Sequence, residues 1–280
     1  MGTTSVPVAI GTAGYAWPEW VGPFYPPATT LERMPAYYCA EFPFVEINST
    51  FNRPPSPGEL ARLANRTAPG FQFSLRVPRT VSHEHRIRDL RSFRLAADEL
   101  AARHRLIGFV LQFPETFKDT VSNRLWLERV AIGLRPYPTW VEFRHRSWPR
   151  PRLGDWLRER GLDLAAVDVP DLPQLFPRGL IDSGTSRLYV RLHSRSVDNW
   201  SGSGTPKAEY DYPVSILCEW LGLLRQSARR LTDAFLVFNN CQGMQAIQNA
   251  RRLAELIRAE APEFRVVEAP GPAPPMQGKL

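Results

Sequence analysis

The chain contains eight short apolar runs, each bounded by glycine, proline or polar residues, and this series is what most restricts its fold. The runs cover residues 6–14, 44–51, 71–79, 106–114, 139–148, 162–170, 187–194 and 234–241. Helical patterns separate most of them and follow the last, at residues 30–40, 57–67, 84–104, 120–133, 151–160, 213–230 and 243–259. The centres of the runs repeat about every 32 residues, which is typical of a (β/α)8 barrel. The sequence therefore predicts an α/β fold, a single (β/α)8 TIM barrel.

Two proline-rich segments interrupt this regular alternation. Residues 171–184, DLPQLFPRGLIDSG, predict an irregular connection between strands 6 and 7, because proline and glycine disfavour a helix there. The segment APGPAPPMQGKL, residues 269–280, has the composition of a disordered tail. We predict one barrel domain over residues 1–262 and a disordered tail over residues 263–280.

Cysteine content and hydropathy exclude several classes of protein. The three cysteines, Cys39, Cys218 and Cys241, show no C-x-x-C spacing, which argues against a disulfide framework and a zinc ribbon. No apolar run approaches the ~18 residues of a membrane span, and the first residues lack the pattern of a signal peptide. We therefore predict a cytoplasmic protein with no membrane partner.

The charge composition favours anionic partners. The formal net charge is +7, and only three of the 35 basic residues are lysines. The planar guanidinium of arginine suits phosphate and carboxylate groups, although a GC-rich genome produces the same arginine excess without functional meaning. An anionic small molecule is the expected partner, and nucleic acid is the alternative.

Alternation within the runs separates an apolar set of side chains from a polar one. The apolar set comprises Val45, Ile47, Phe73, Leu75, Val77, Phe109, Leu111, Phe113, Val141, Phe143, Val167, Val169, Val190 and Leu192. The polar set comprises Glu46, Asn48, Ser74, Arg76, Gln112, Glu142, Arg144, Asp168, Arg191, His193 and Asn239. If the apolar set faces the helices, the polar set lines the barrel at its C-terminal mouth, where barrel enzymes have their active sites. The alternative is an internal lattice of ion pairs that binds nothing.

The polar set predicts an acid/base site for an anion. We expect Glu46, Glu142, Asp168 and His193 to be the catalytic residues. Acid/base catalysis needs groups whose pKa values differ, and a setting among arginines can shift the pKa values of carboxylates and an imidazole apart. The predicted ligand-binding residues are Asn48, Arg76, Gln112, Arg144, Arg191, Asn239, His83 and His145, of which the last two follow strand ends. The sequence has no H-E-x-x-H, Walker or dinucleotide motif, so we predict no metal ligands and assign no cofactor.

A series of motifs resembles the YecE-like family, also called domain of unknown function 72, over about residues 8–258. In chain order the motifs are IGTAGY, EINSTF, FSLRVPR, LQFP, EFRHRSW, YVRLH and FNN. The aromatic loop YAWPEWVGPFYP, the pair Ser82-His83, and Gly243, Ala246, Asn249 and Ala250 also fit the family pattern. The resemblance implies a TIM barrel but no reaction. Arg76 stands where the family usually has lysine and Ser194 where it commonly has glycine, so an essential lysine nucleophile is not implied here.

The sequence thus predicts an enzyme, a hydrolase or another acid/base catalyst, that acts on a phosphate- or carboxylate-bearing substrate. A nucleic-acid-binding protein without catalysis and a metal-dependent phosphodiesterase remain the alternatives, because one barrel fold supports many chemistries. The substrate and the oligomeric state are left open.

Overall fold

A computed structural model of the protein describes residues 5–179, 185–198, 200 and 210–273. The strands are β1 (Val6–Thr12), β2 (Phe44–Ile47), β3 (Gln72–Arg76), β4 (Leu106–Gln112), β5 (Thr139–Glu142), β6 (Asp163–Leu164), β7 (Ala166–Asp168), β8 (Arg187–Leu192), β9 (Asp233–Phe238) and β10 (Phe264–Val266). The α-helices are α1 (Met34–Tyr38), α2 (Ser49–Asn52), α3 (Pro57–Asn65), α4 (Arg79–Ser82), α5 (Asp89–Ala101), α6 (Val121–Leu134), α7 (Leu153–Arg158), α8 (Val214–Ser227) and α9 (Gln245–Glu260). None of these helices is long and apolar enough to cross a membrane.

The alternation of strands and helices follows the sequence pattern. Every predicted strand run contains a strand, and every predicted helical stretch contains a helix. The sixth run forms two strands, β6 and β7, on either side of Ala165. Residues 169–179 contain no helix, in agreement with the predicted irregular connection, whose residues 180–184 lie outside the described residues.

The strands form two five-stranded parallel sheets. Their orders are β10-β1-β9-β8-β7 and β2-β3-β4-β5-β6. The α/β class is confirmed, whereas a single closed eight-stranded barrel is not, because the two hydrogen-bonded sheets remain separate. The sheets approach each other at an isolated bridge between Ala13 and Glu46, and at Ala165, whose N–H donates to the Val141 carbonyl at 2.9 Å.

Gly11 allows β1 to lie close to β2. A Cβ atom at this position would stand 2.5 Å from the carbonyl oxygen of Phe44, well inside contact distance. Only glycine lacks that atom, so the approach of the two sheets depends on this residue.

An aromatic layer between the sheets supports the polar end of the strands. The ring of Phe235 lies 5.6 Å from the ring of Phe44 and 6.0 Å from that of Trp140. Tyr189 lies 4.8 Å from Trp140 and brings its hydroxyl to the polar residues. The floor of the site is therefore made of rigid, buried rings.

The ordered structure continues beyond residue 262. β10 pairs in parallel with β1, with Phe264 opposite Val6 and Val266 opposite Val8. Phe264 and Val266 are buried while Arg265 between them is exposed, which is the alternation of a strand covered on one face. The predicted start of the tail at residue 263 is therefore corrected, and residues 274–280 lie outside the described residues.

Candidate functional site

A cavity of about 390 Å³ lies at the carboxyl ends of the strands. It is lined by Trp17, Arg76, Gln112, Pro114, Glu115, Arg144, His193, Trp200 and Asn239. Five of these residues belong to the polar set predicted from the sequence. They come from the ends of β3, β4, β5, β8 and β9, so strand alternation brings them to one place.

Beneath the cavity, Arg191 is enclosed between two carboxylates. Its Nε and Nη2 donate to Glu46 at 3.0 and 2.6 Å, and its Nη1 donates to Glu142. All three side chains are fully buried. Burial alone would lower the pKa of Arg191, but Glu142 and Glu46 outweigh it and raise that pKa. Arg191 faces inward as its alternation predicts, yet its guanidinium is engaged by protein carboxylates rather than exposed to a ligand.

Glu142 is the centre of the ion-pair network. Besides Arg191, it pairs with Arg144, whose Nε lies 2.5 Å from Oε1, and with His193, whose Nε2 lies 3.2 Å from the same oxygen. Burial favours the neutral acid, but the charges of Arg144 and Arg191 hold the pKa of Glu142 well below its usual range. Glu142 is therefore a carboxylate at neutral pH.

His193 is held as a neutral imidazole by contacts at both ring nitrogens. The side-chain amide nitrogen of Asn239 lies 2.7 Å from Nδ1, and Nε2 lies 3.3 Å from Nη2 of Arg144 and 3.2 Å from Oε1 of Glu142. Because amide and guanidinium nitrogens only donate, Asn239 favours a proton on Nε2 and Arg144 favours one on Nδ1. Asn239 in turn accepts a hydrogen bond from the amide of Asn48 at 3.4 Å. Burial, although opposed by Glu142, lowers the pKa of His193 to about 3. The imidazole therefore carries no charge at neutral pH.

Arg76 supplies positive charge without a direct ion pair among the described residues, although Glu46 and Glu142 act on it from farther away. Its guanidinium lies 3.7 Å above the ring of Phe51 and donates to Gln112. Its Nε is buried without a hydrogen-bond partner, and no ion pair with Arg76 occurs among the described residues. Burial and the like charge of Arg191 lower its pKa to about 9, so Arg76 is still protonated at neutral pH.

Arg144 lies beside Arg76 on the same wall but is partly neutralised. Its side chain is 12% exposed and pairs with Glu142. The guanidinium also lies 4.6 Å from the ring of Trp200. A cation between a carboxylate and an indole keeps a fixed position, and part of its charge remains available to the cavity.

Asp168 lies outside this site, which corrects its predicted catalytic role. Its carboxylate accepts from Arg195 at 2.8 and 3.1 Å and from the indole of Trp220 on α8 at 2.6 Å. In the pairing of β7 with β8, Asp168 aligns with Leu192 and Val167 with Arg191. Residues paired in register share a face, so Asp168 points to the helices and Val167 to the interior, the reverse of the prediction.

The two predicted histidines beyond the strand ends do not line the cavity. His83 contacts the Ser82 hydroxyl at 2.8 Å and packs its ring against Phe51. Burial and the charge of Arg76 lower the pKa of His83 to about 4. His145 accepts a hydrogen bond from the backbone N–H of Ser147 at 3.0 Å. Both are engaged locally in the turns that follow β3 and β5.

Four lining residues were not assigned to the site from the sequence. Pro114 and Glu115 directly follow β4, Trp17 belongs to the aromatic loop after β1, and Trp200 follows β8. Their common signal is a position in a loop at the carboxyl end of a strand, where barrel enzymes place functional residues. Tyr189 also went unassigned; its hydroxyl donates to Glu46 at 3.0 Å and contacts the Ser74 hydroxyl at 2.6 Å.

Possible metal ligands are scattered. Across residues 5–179, 185–198, 200 and 210–273, no three His, Cys, Asp or Glu side chains come together as a metal site requires. The described donors therefore give no support to a metal-dependent phosphodiesterase.

Comparisons with known proteins identify similar chains, each matched over nearly all of its own length. The family described as "Protein of unknown function DUF72" matches residues 9–276. The UPF0759 protein YunF of Bacillus subtilis (strain 168) is 23% identical over 255 residues, which cover 84% of this chain and 90% of that protein. A DUF72 family protein from Thermotoga maritima is 30% identical with a TM-score of 0.81, covering 90% of this chain and 99% of that one. Another, from Enterococcus faecalis, has 18% identity and a TM-score of 0.80, covering 90% and 95%.

Proposed function

Because this chain belongs to the DUF72 family, whose description names no reaction, we propose a function from the cavity itself: the protein is an enzyme whose small-molecule substrate bears one phosphate or carboxylate group. The observation that carries the proposal is Arg76, a half-buried cation without a carboxylate partner among the described residues. Leaving such a charge unpaired is costly, and an anionic ligand would remove that cost.

Arg144 is the second anion-binding residue in this proposal. It lines the same cavity as Arg76, and together they would present two guanidinium groups to one anion. Arg191, Glu46 and Glu142 lie below them and hold the position of Arg144 through Glu142. Arg191 is thus a positioning residue here, not a ligand-binding one.

His193 and Glu142 are the proposed groups for proton transfer. His193 is neutral without a ligand, because burial and the neighbouring arginines disfavour its protonation. A bound anion next to the imidazole would favour the charged form and raise its pKa toward the neutral range. Binding of the substrate would therefore prepare His193 to accept a proton, and Glu142 would stabilise the resulting imidazolium.

The fold expected for such an enzyme is a TIM barrel, and we propose that the two sheets are the two parts of one barrel wall. The bridge between Ala13 and Glu46 and the contact of Ala165 with Val141 support this interpretation. A cytoplasmic location also belongs to the proposal, because Cys39, Cys218 and Cys241 are free thiols, as is usual in reducing compartments.

Thermal unfolding with an inorganic anion tests the proposed site. We expect sodium phosphate to raise the Tm of the wild-type protein above its value in sodium chloride of equal ionic strength, because a ligand stabilises the state it binds. Arg76→Gln should abolish this increase. Arg103→Gln is the matched control, because it removes the same charge from an exposed arginine that pairs only with Glu99 among the described residues. An equal phosphate effect in Arg76→Gln and in the wild type would refute the assignment.

A further inference from the structure

Building on the proposed anion site, we propose that the anionic group is carried by a sugar, so that the ligand is a monosaccharide bearing one phosphate or carboxylate group. The proposal depends on the difference between the two walls of the cavity. One wall is cationic, and the other is uncharged, hydrogen-bonding and aromatic.

The cationic wall has room for one anionic group. It is formed by the ends of β3, β4 and β5, which contribute Arg76, Gln112 and Arg144. Glu46 and Glu142 balance Arg191 and Arg144 in number, so Arg76 is the remaining cation of this wall, and Glu115 also acts on the guanidinium of Arg144. A ligand with several anionic groups, such as a nucleoside diphosphate, would meet the carboxylate of Glu115 without a cation for each charge.

The opposite wall carries uncharged polar groups. It is formed by the ends of β1, β2 and β9, with Trp17 and Asn239 lining the cavity and Asn48 bonded behind Asn239. Contacts with Asn48 and His193 hold the amide of Asn239 in place. An amide at the cavity wall can exchange hydrogen bonds with a hydroxyl group. A ligand with several hydroxyl groups suits this wall better than a hydrocarbon does.

Trp17 and Pro114 add apolar surface to the cavity. The faces of an indole and a proline ring suit the C–H face of a saturated ring, while the hydroxyls at its edge reach the amides of Gln112 and Asn239. At about 390 Å³, the cavity is near the lower end of ligand pockets, which favours one sugar ring over a complete nucleotide.

The test compares each sugar anion with the anion alone by isothermal titration calorimetry. The pairs are glucose 6-phosphate with inorganic phosphate and glucuronate with acetate, and phenyl phosphate is the aromatic alternative. We expect at least one sugar anion to bind tenfold or more tightly than its sugar-free partner and more tightly than phenyl phosphate. The pair that shows the difference identifies the anionic group.

Variants at Trp17 test whether the uncharged wall causes the tighter binding of the sugar anion. Trp17→Leu should lower the affinity for the sugar anion about tenfold and leave the affinity for the simple anion unchanged. Trp126→Leu is the matched control, because Trp126 stacks on His85 and does not line the cavity. If Trp17→Leu does not fold, as judged by circular dichroism, Trp17→Phe replaces it and removes only the indole N–H and part of the ring.

The outcomes separate the two proposals. Simple anions that bind through Arg76 while sugar anions bind no more tightly would overturn the sugar proposal and leave the anion site intact. Tighter binding of phenyl phosphate, or equal loss of both affinities in Trp17→Leu, would also overturn it. Absence of any anion binding would refute the proposed function together with this inference.

Discussion

The surroundings of His193 fix its charge. Burial of the ring outweighs the carboxylate of Glu142, whose Oε1 lies 3.2 Å from Nε2. The pKa of the buried ring falls to about 3, whereas an unfolded chain has a histidine pKa near 6.5. Between these two values the unfolded state binds a proton that the folded state does not, so stability is lost as the pH falls through this window.

This difference predicts a measurable pH dependence. Lowering the pH from 7 to 5 should reduce the unfolding free energy of the wild type by about 2 kcal/mol through His193, because the loss of 1.36 kcal/mol per pH unit begins near the unfolded pKa of about 6.5. The His193→Gln variant should lack this contribution. The control variant His104→Asn, which changes an exposed histidine, should retain it. Urea unfolding at both pH values measures the effect. An identical pH dependence in His193→Gln and wild type would contradict the protonation state described for His193.

Arg191 is expected to act on stability rather than on ligand contact. Arg191→Lys removes the planar fork that bonds Glu46 and Glu142 at once, and leaves buried carboxylate oxygens unpaired. We expect a loss of about 3 kcal/mol of unfolding free energy, equal with and without phosphate. Arg103→Lys on the surface should change little. Unchanged stability combined with a lost phosphate response in thermal melts would instead assign Arg191 to the ligand.

At the scale of elements, Gly11 controls how closely β1 approaches β2. Gly11→Ala places a Cβ against the Phe44 carbonyl, and overpacking of this kind costs about 1–3 kcal/mol. Gly222 in α8 is the matched control, because a Cβ there meets nothing within 4 Å and alanine favours a helix by up to about 1 kcal/mol. Chemical unfolding should thus show opposite signs for the two substitutions. A neutral Gly11→Ala would mean that the sheets need no close approach at this edge.

The elements were predictable from the sequence to the extent that polar and apolar residues alternate without ambiguity. Glu46, Arg191 and His193 each have apolar neighbours in their strands, so their inward direction follows from alternation. In the sixth run, LDLAAVDVP, apolar residues occupy both phases, and Asp168 misled the assignment because α8 supplies a partner for it, Trp220, on the outer face. His83 and His145 follow strand ends, where alternation no longer determines direction.

The division of the strands into two sheets could not be predicted from the sequence pattern, for another reason. Spacing of the runs predicts the number and order of strands, but not whether every neighbouring pair completes a hydrogen-bonded ladder. Between β1 and β2 that depends on the local approach at Gly11 and on one bridge at Ala13. The lining residues Trp17 and Trp200 belong to loops, whose direction no periodic pattern specifies.

At the scale of the whole molecule, the net charge of +7 raises the question of nucleic acid. Many surface arginines pair with acidic side chains, as Arg66 does with Glu32 and Arg258 with Glu268. We therefore expect a labelled single-stranded oligonucleotide to bind weakly at 50 mM salt and not to displace phosphate from the cavity. A binding constant that falls steeply between 50 and 200 mM salt, by roughly 10³-fold or more, would support the nucleic-acid alternative instead.

The pairing of β1 with β9 and β10 has a consequence for synthesis of the chain on the ribosome. β2 to β6 follow one another in residues 44–164, so the sheet β2-β3-β4-β5-β6 can assemble while the remainder is still being translated. β1 emerges earlier, yet its sheet neighbours, β9 and β10, begin at Asp233 and Phe264. At roughly 5–20 residues per second, β1 waits about 10–40 s for its first partner. Of the ten described strands, the first to be synthesised is thus among the last to be paired, and the cavity is complete only after β9 has been made.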